Sequence, residues 1–112
     1  MNLNIENTKF DIYIKSNDDE AFYVAEKLSK YFPCHDKNIF NCSKMTEKSS
    51  QYTKLRKYLN NKGAPKRFKF PIIFKNDVYF DINVLPNDEL LVNCDDIYNN
   101  IEYLDDRIYI DE

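Results

Sequence analysis

Three cysteines, one histidine and two blocks of opposite charge are the parts of this 112-residue chain with chemistry to offer. Cys34, Cys42 and Cys94 are odd in number and widely spaced, which suits reduced thiols in a cytoplasmic compartment rather than a disulfide framework. A thiol becomes a nucleophile when its surroundings lower its pKa, and the one nearby residue in sequence that would do this for Cys42 is Lys44. His35 follows Cys34, but a nucleophile and its base must converge in space rather than in sequence. Cys34, His35 and Cys42 lack the fourth ligand and the paired spacing of a zinc site. No metal and no cofactor is therefore assigned.

The net charge of −3 conceals a strong asymmetry. Residues 44–69 hold nine bases (Lys44, Lys48, Lys54, Arg56, Lys57, Lys62, Lys66, Arg67 and Lys69) against the single acid Glu47. Residues 95–112 hold seven acids (Asp95, Asp96, Glu102, Asp105, Asp106, Asp111 and Glu112) against the single base Arg107. Tyr52, Tyr58 and Phe68 are interleaved with the bases, a composition compatible with phosphate contacts and base stacking. Against a nucleic-acid ligand, Tyr52 shares an apolar stripe with Leu55 and Leu59, and the pI is near 5.2. A basic surface that meets an acidic protein, or the chain's own tail, accounts for the same charges. Lys54, Arg56, Lys57, Lys66, Arg67 and Lys69 are the partner-binding candidates, the partner being another protein or a second copy.

The elements that position these residues follow from hydrophobic period. Phe10, Ile12 and Ile14 alternate with Asp11, Tyr13 and Lys15, the period-two mark of a strand. Ala21, Ala25, Leu28 and Phe32 form one helical stripe, and Asn17 with Glu20 three residues later suits a capping box. The spacing predicts a helix over residues 18–31, stopped by Pro33. Residues 38–42 form a short second strand. Tyr52, Leu55 and Leu59 predict a second helix ending near Asn61, with Gly63 placed for a left-handed cap.

Phe70-Pro71-Ile72-Ile73-Phe74 reads as a third strand headed by its proline, because proline has no N–H for an interior ladder. Lys75-Asn76-Asp77 then turns into Val78-Tyr79-Phe80, a hairpin. Residues 85–92 fit helix or strand equally. Ile97, Ile101 and Leu104 have helical spacing after Asp95 and Asp96, which predicts a closing helix followed by an acidic tail.

The length suits one core, and 43% hydrophobic with 15% aromatic residues is enough to fold it. No apolar run is long enough to cross a membrane, and the N-terminus lacks the pattern of a signal peptide. The single glycine and the abundance of Asn, Lys, Ile, Tyr and Asp fit an AT-rich coding sequence, such as that of a large DNA virus, an amoeba or a phage. A cytoplasmic location or a place within a virion is the corresponding expectation.

Ile12-Tyr13-Ile14-Lys15 and Phe70-Pro71-Ile72-Ile73-Phe74-Lys75-Asn76 together resemble glutaredoxin, in its first strand with a lysine and its valine-proline strand with the following turn. The resemblance spans residues 10–82. It implies a thioredoxin-like α/β fold, with a central mixed four-stranded sheet flanked by helices and a cis-proline at Pro71 facing the start of the first helix. The corresponding division is an N-terminal segment over 1–9, a glutaredoxin-like domain over 10–94, and an acidic C-terminal helix and tail over 95–112.

Glutaredoxins carry Cys-x-x-Cys or Cys-x-x-Ser at the start of that helix, where free amides and the helix dipole stabilise a thiolate. An ungapped match sets Asp18-Asp19-Glu20-Ala21 there, so both cysteine positions are empty. Carboxylates cannot attack a disulfide, and they repel anionic glutathione. The family's glycine pair also has no counterpart near Asp81, Ile82 and Asn83. The degenerate edge would comprise Lys15, Asp18, Asp19, Glu20, Ala21, Cys42, Phe70 and Pro71. The resulting expectation is a redox-inactive interaction or structural module, for example a component of a viral particle or assembly. The rival readings are a one-cysteine thiol oxidoreductase using Cys42 and a nucleic-acid-binding domain using residues 44–69.

Overall fold

The computed structural model describes residues 8–32, 35–86 and 101–107. Strand β1 (Thr8–Ile14) sends Phe10, Ile12 and Ile14 to one face, all with no solvent exposure, and Tyr13 to the other. Helix α1 (Asp18–Tyr31) starts where the Asn17 side chain accepts the Asp19 N–H at 3.1 Å. Ala21, Val24, Ala25 and Leu28 are its buried stripe. The Phe32 N–H closes its last turn on the Leu28 carbonyl at 2.8 Å.

Strand β2 (His35–Lys44) is longer at both ends than the run 38–42 expected from composition. Full pairing with β1, from Thr8↔His35 to Ile14↔Asn41, extends it beyond its apolar centre. Helix α2 (Ser50–Asn61) is capped by Ser49, whose Oγ accepts the Tyr52 N–H at 3.1 Å, and buries Tyr52, Leu55 and Leu59. Gly63 takes φ +117°, and the Ala64 N–H returns to the Leu59 carbonyl at 3.1 Å, so the chain leaves the helix sharply.

Strands β3 (Ile72–Lys75) and β4 (Val78–Phe80) form the expected hairpin. Asn76 and Asp77 both have positive φ at its tip, a conformation these residue types tolerate. Asn76 also clamps the tip to β1. Its Oδ1 accepts the Lys9 N–H, and its own N–H donates to the Lys9 carbonyl, both at 2.8 Å. A short 3-10 turn (Ile82–Val84) follows.

The closing element differs from expectation. Residues Ile101–Asp105 form strand β5, parallel to β2, and not a helix. A spacing of three residues can serve a helical stripe or the two faces of a strand. Here Ile101 packs on the α1 side and Leu104 is buried on the α2 side, so both sheet faces gain cover at this edge. The strand also satisfies the outer N–H and C=O groups of β2, which an overlying helix would leave unpaired.

The sheet therefore has five strands instead of four, in the order β4-β3-β1-β2-β5. β1, β2 and β5 are parallel, while β3 runs antiparallel to β1 and β4 antiparallel to β3. The C-terminal segment is thus built into the sheet from residue 101 and does not form a separate helix there. Residues 87–100, including Asp95, Asp96 and Ile97, lie outside the described residues.

The architecture is α/β in three layers. α1 packs with Phe10, Ile12, Ile14, Ile39 and Ile73 on one face of the sheet. α2 packs with Tyr13, Cys42, Ile72, Phe74 and Leu104 on the other. No helix among the described residues is long and apolar enough to cross a membrane.

Candidate functional site

The carboxyl ends of parallel strands are where ligands of open α/β sheets gather, and here β1 and β2 end there in Ile14 and Lys44. β3 begins at the same end, because Tyr13 pairs with Ile72 in an antiparallel register. Pro71 directly precedes Ile72 of that last pair and Ile14 directly follows Tyr13, after which Lys15, Ser16 and Asn17 lead into α1. The Phe70-Pro71 peptide bond is cis. The backbone thus brings Pro71, Lys15 and the start of α1 to one edge of the sheet. Buried Asn41 braces this edge, its Nδ2 donating to the Ser16 carbonyl at 3.2 Å while its Oδ1 accepts the Ser43 N–H at 2.8 Å.

The side chains at this edge do not form a reactive cluster. The first turn of α1 carries Asp18, Asp19 and Glu20, and Asp19 is exposed. Asn17 already occupies the Asp19 amide, and the Glu20 N–H donates to the Asn17 carbonyl at 3.2 Å. The Glu20 carboxylate does not complete the expected capping box: its Oε1 is buried without a hydrogen-bond partner. Ala21 points into the α1-side core with no exposure. Phe70 is half-buried and meets Phe68 edge to face at 5.3 Å.

Lys15 turns away from α1 toward the β2–α2 connection. Its Nζ donates to the Met45 carbonyl at 3.5 Å, lies 3.8 Å from Glu47 and sits 5.2 Å from the centroid of the Tyr52 ring. It is also the cation that acts on Cys42, yet burial outweighs it. The Cys42 thiol is fully buried, and desolvation pushes its pKa up to about 12. At neutral pH Cys42 is a protonated core residue that packs with Tyr13, Met45 and Leu104. Cys34, Cys94 and the side chain of His35 lie outside the described residues.

Part of the basic segment's charge is used inside the fold. Arg56 is committed internally. Its Nη1 donates to the Tyr52 hydroxyl at 3.3 Å, its Nη2 donates to the Phe68 carbonyl at 3.2 Å, and the guanidinium lies 4.1 Å from the Phe68 ring centroid. Lys62 lies 3.6 Å from Asp77 and over the Phe74 ring at 4.6 Å. Lys44 stands over Tyr103 of β5 at 5.1 Å. Lys54 and Lys57 lie along α2. Lys66, Arg67 and Lys69 are exposed on the connection between α2 and β3.

Two residues that sequence reasoning passed over organise this end of the sheet. Asn41 interrupts the apolar centre of β2, a signal that a buried amide is needed there. Asp106 left no local signal, because its partner Thr46 is 60 residues away. No protein-family model, curated protein or solved structure matches this chain.

Proposed function

We propose that this chain is a redox-inactive, thioredoxin-like protein-interaction module derived from a glutaredoxin-like ancestor. Parallel β1 and β2, the antiparallel β3–β4 hairpin and the order β4-β3-β1-β2 support that relationship. In this reading β5 is an addition to the β2 edge.

The observation that carries the functional half is the start of α1. Acids and an asparagine cap stand where a thiolate would use the free amides, and the one described cysteine is sealed in the core with a raised pKa. Disulfide exchange requires an accessible thiolate. No nucleophile stands at the edge among the described residues, and the exposed bases offer a binding surface. Neither glutathione nor nucleic acid is the expected ligand, given the acids at the edge and the acidic pI.

A glutathione-coupled disulfide reduction assay tests the reading. The wild-type chain should give the same background rate as the variant with Cys34, Cys42 and Cys94 all replaced by serine. A rate that depends on any of these cysteines would establish a thiol enzyme instead.

A further inference from the structure

Three cations without an ion-pair partner among the described residues lie within four residues of one another, on or directly after a turn that the core holds in place. The Phe68 N–H closes residues 65–68 on the Pro65 carbonyl at 3.2 Å. Ala64 and Phe68 on either side are 6% exposed, so both flanks of the turn are anchored. Arg56 adds a third anchor by covering the Phe68 ring and holding its carbonyl. Between and beyond these anchors Lys66, Arg67 and Lys69 face solvent, and no carboxylate among the described residues lies within ion-pair distance of them.

Two acids of the described residues nearby are already matched. Glu47, the sole acid of residues 44–69, faces Lys15, while Asp77 faces Lys62. Like charges crowded on a fixed turn repel one another, and an anionic partner relieves that repulsion. Because the turn is held, little conformational freedom remains to be lost on binding.

We infer that the turn at residues 66–69 is the docking site for an acidic protein segment, rich in aspartate and glutamate, with Arg56 as the residue that positions it. This deepens the proposed function and rests on it. Two observations favour carboxylates over a polynucleotide. Tyr52 and Phe68 are buried, at 7% and 6% exposure, and half-buried Tyr58 lies under the Lys62 ammonium, 5.4 Å from its ring centroid, so little ring face is left for base stacking. The molecule as a whole carries −3, which opposes the approach of a long polyanion. The chain also sets one of its own acids at the start of the basic segment, where the Asp106 carboxylate accepts the Thr46 N–H.

Fluorescence anisotropy with labelled oligoglutamate and with labelled oligothymidylate of matched charge tests the inference at low salt. Oligoglutamate should bind more tightly than oligothymidylate. Replacing Lys66, Arg67 and Lys69 together by glutamate should weaken its binding by about tenfold or more, from three charges worth roughly half a kcal/mol each. Arg56→Lys keeps the charge but loses the fork that reaches Tyr52 and Phe68 together, and should weaken binding severalfold with an unchanged circular dichroism spectrum. If that variant does not fold, the three exposed replacements decide alone.

Undiminished binding by the triple variant, preference for oligothymidylate, or no binding of oligoglutamate would each overturn the inference. Such a failure leaves the thiol assay untouched, and cysteine-dependent turnover would leave the peptide result untouched, so the two claims fall separately.

Discussion

The Asp106 carboxylate accepts the Thr46 N–H at 2.9 Å, tying the end of β5 to the loop that enters α2. This contact joins the acidic segment to the beginning of the basic one. It also fastens the edge strand at the point where its pairing with β2 becomes irregular, between Asn41 and Lys44.

The hydrogen bonds from Thr46, followed by that from Ser49, hold the Asp106 carboxyl below the usual carboxylate range. A lowered folded pKa means stability that is present above the ordinary value and fades as pH falls through the folded one. Asp106→Ala should therefore speed hydrogen exchange at the Thr46 amide at neutral pH. In the wild type, protection of that amide should fall in strong acid. An unchanged exchange rate in the variant would show that the contact does not hold the strand.

Cys42 has the opposite sign. Its folded pKa rises from an ordinary 9.0 to about 12 through burial, and Tyr13 is also pushed up, first by burial and then by Tyr58. The protonated forms are favoured in the fold, so this stability is full below about pH 9 and is lost as pH rises toward 12. Urea unfolding at stepped alkaline pH should show that decline, and Cys42→Ala should lessen it, leaving the part that Tyr13 contributes. Alkylation of Cys42 by iodoacetamide at neutral pH should be slow until the chain is unfolded, with peptide mapping to separate it from the other two cysteines.

Leu104 distinguishes a built-in strand from a loosely attached tail. It is 7% exposed within the α2-side core, whereas Glu102, two residues earlier, is exposed. Leu104→Ala should cost about 2–5 kcal/mol in urea unfolding, by loss of buried methyl groups and the cavity left behind. Glu102→Ala should stay within about 0.5 kcal/mol. Equal, small effects from both would remove β5 from the cooperative fold.

Gly63 tests the exit from α2. An added Cβ would meet the Tyr79 Cβ at 3.5 Å, an ordinary contact, so space is not limiting. The φ of +117° is, because side chains rarely accept it. Gly63→Ala should destabilise by about 1–3 kcal/mol, a backbone cost read from the shift in the urea midpoint.

Local pattern alone determined much of this protein. Ala21, Ala25 and Leu28 mark α1, Tyr52, Leu55 and Leu59 mark α2, and Phe10, Ile12 and Ile14 mark β1, because a regular element repeats its buried side at its own period. The same holds for the hairpin at Asn76 and Asp77, where turn chemistry is carried by the residues themselves. The absence of sulfur at Asp18-Asp19-Glu20-Ala21 was equally plain.

Tertiary structure decided the rest, wherever a residue answers to a distant partner. Ile101 and Leu104 fit a helix by spacing until the open edge of β2 requires a strand. Cys42 stands near Lys44 in sequence, but its pKa is set by the core that closes over it. Arg56 looks like one base among nine until Phe68, 12 residues on, is found beneath it. Periodicity records which side of an element is buried, whereas the partner that buries it comes from elsewhere in the chain.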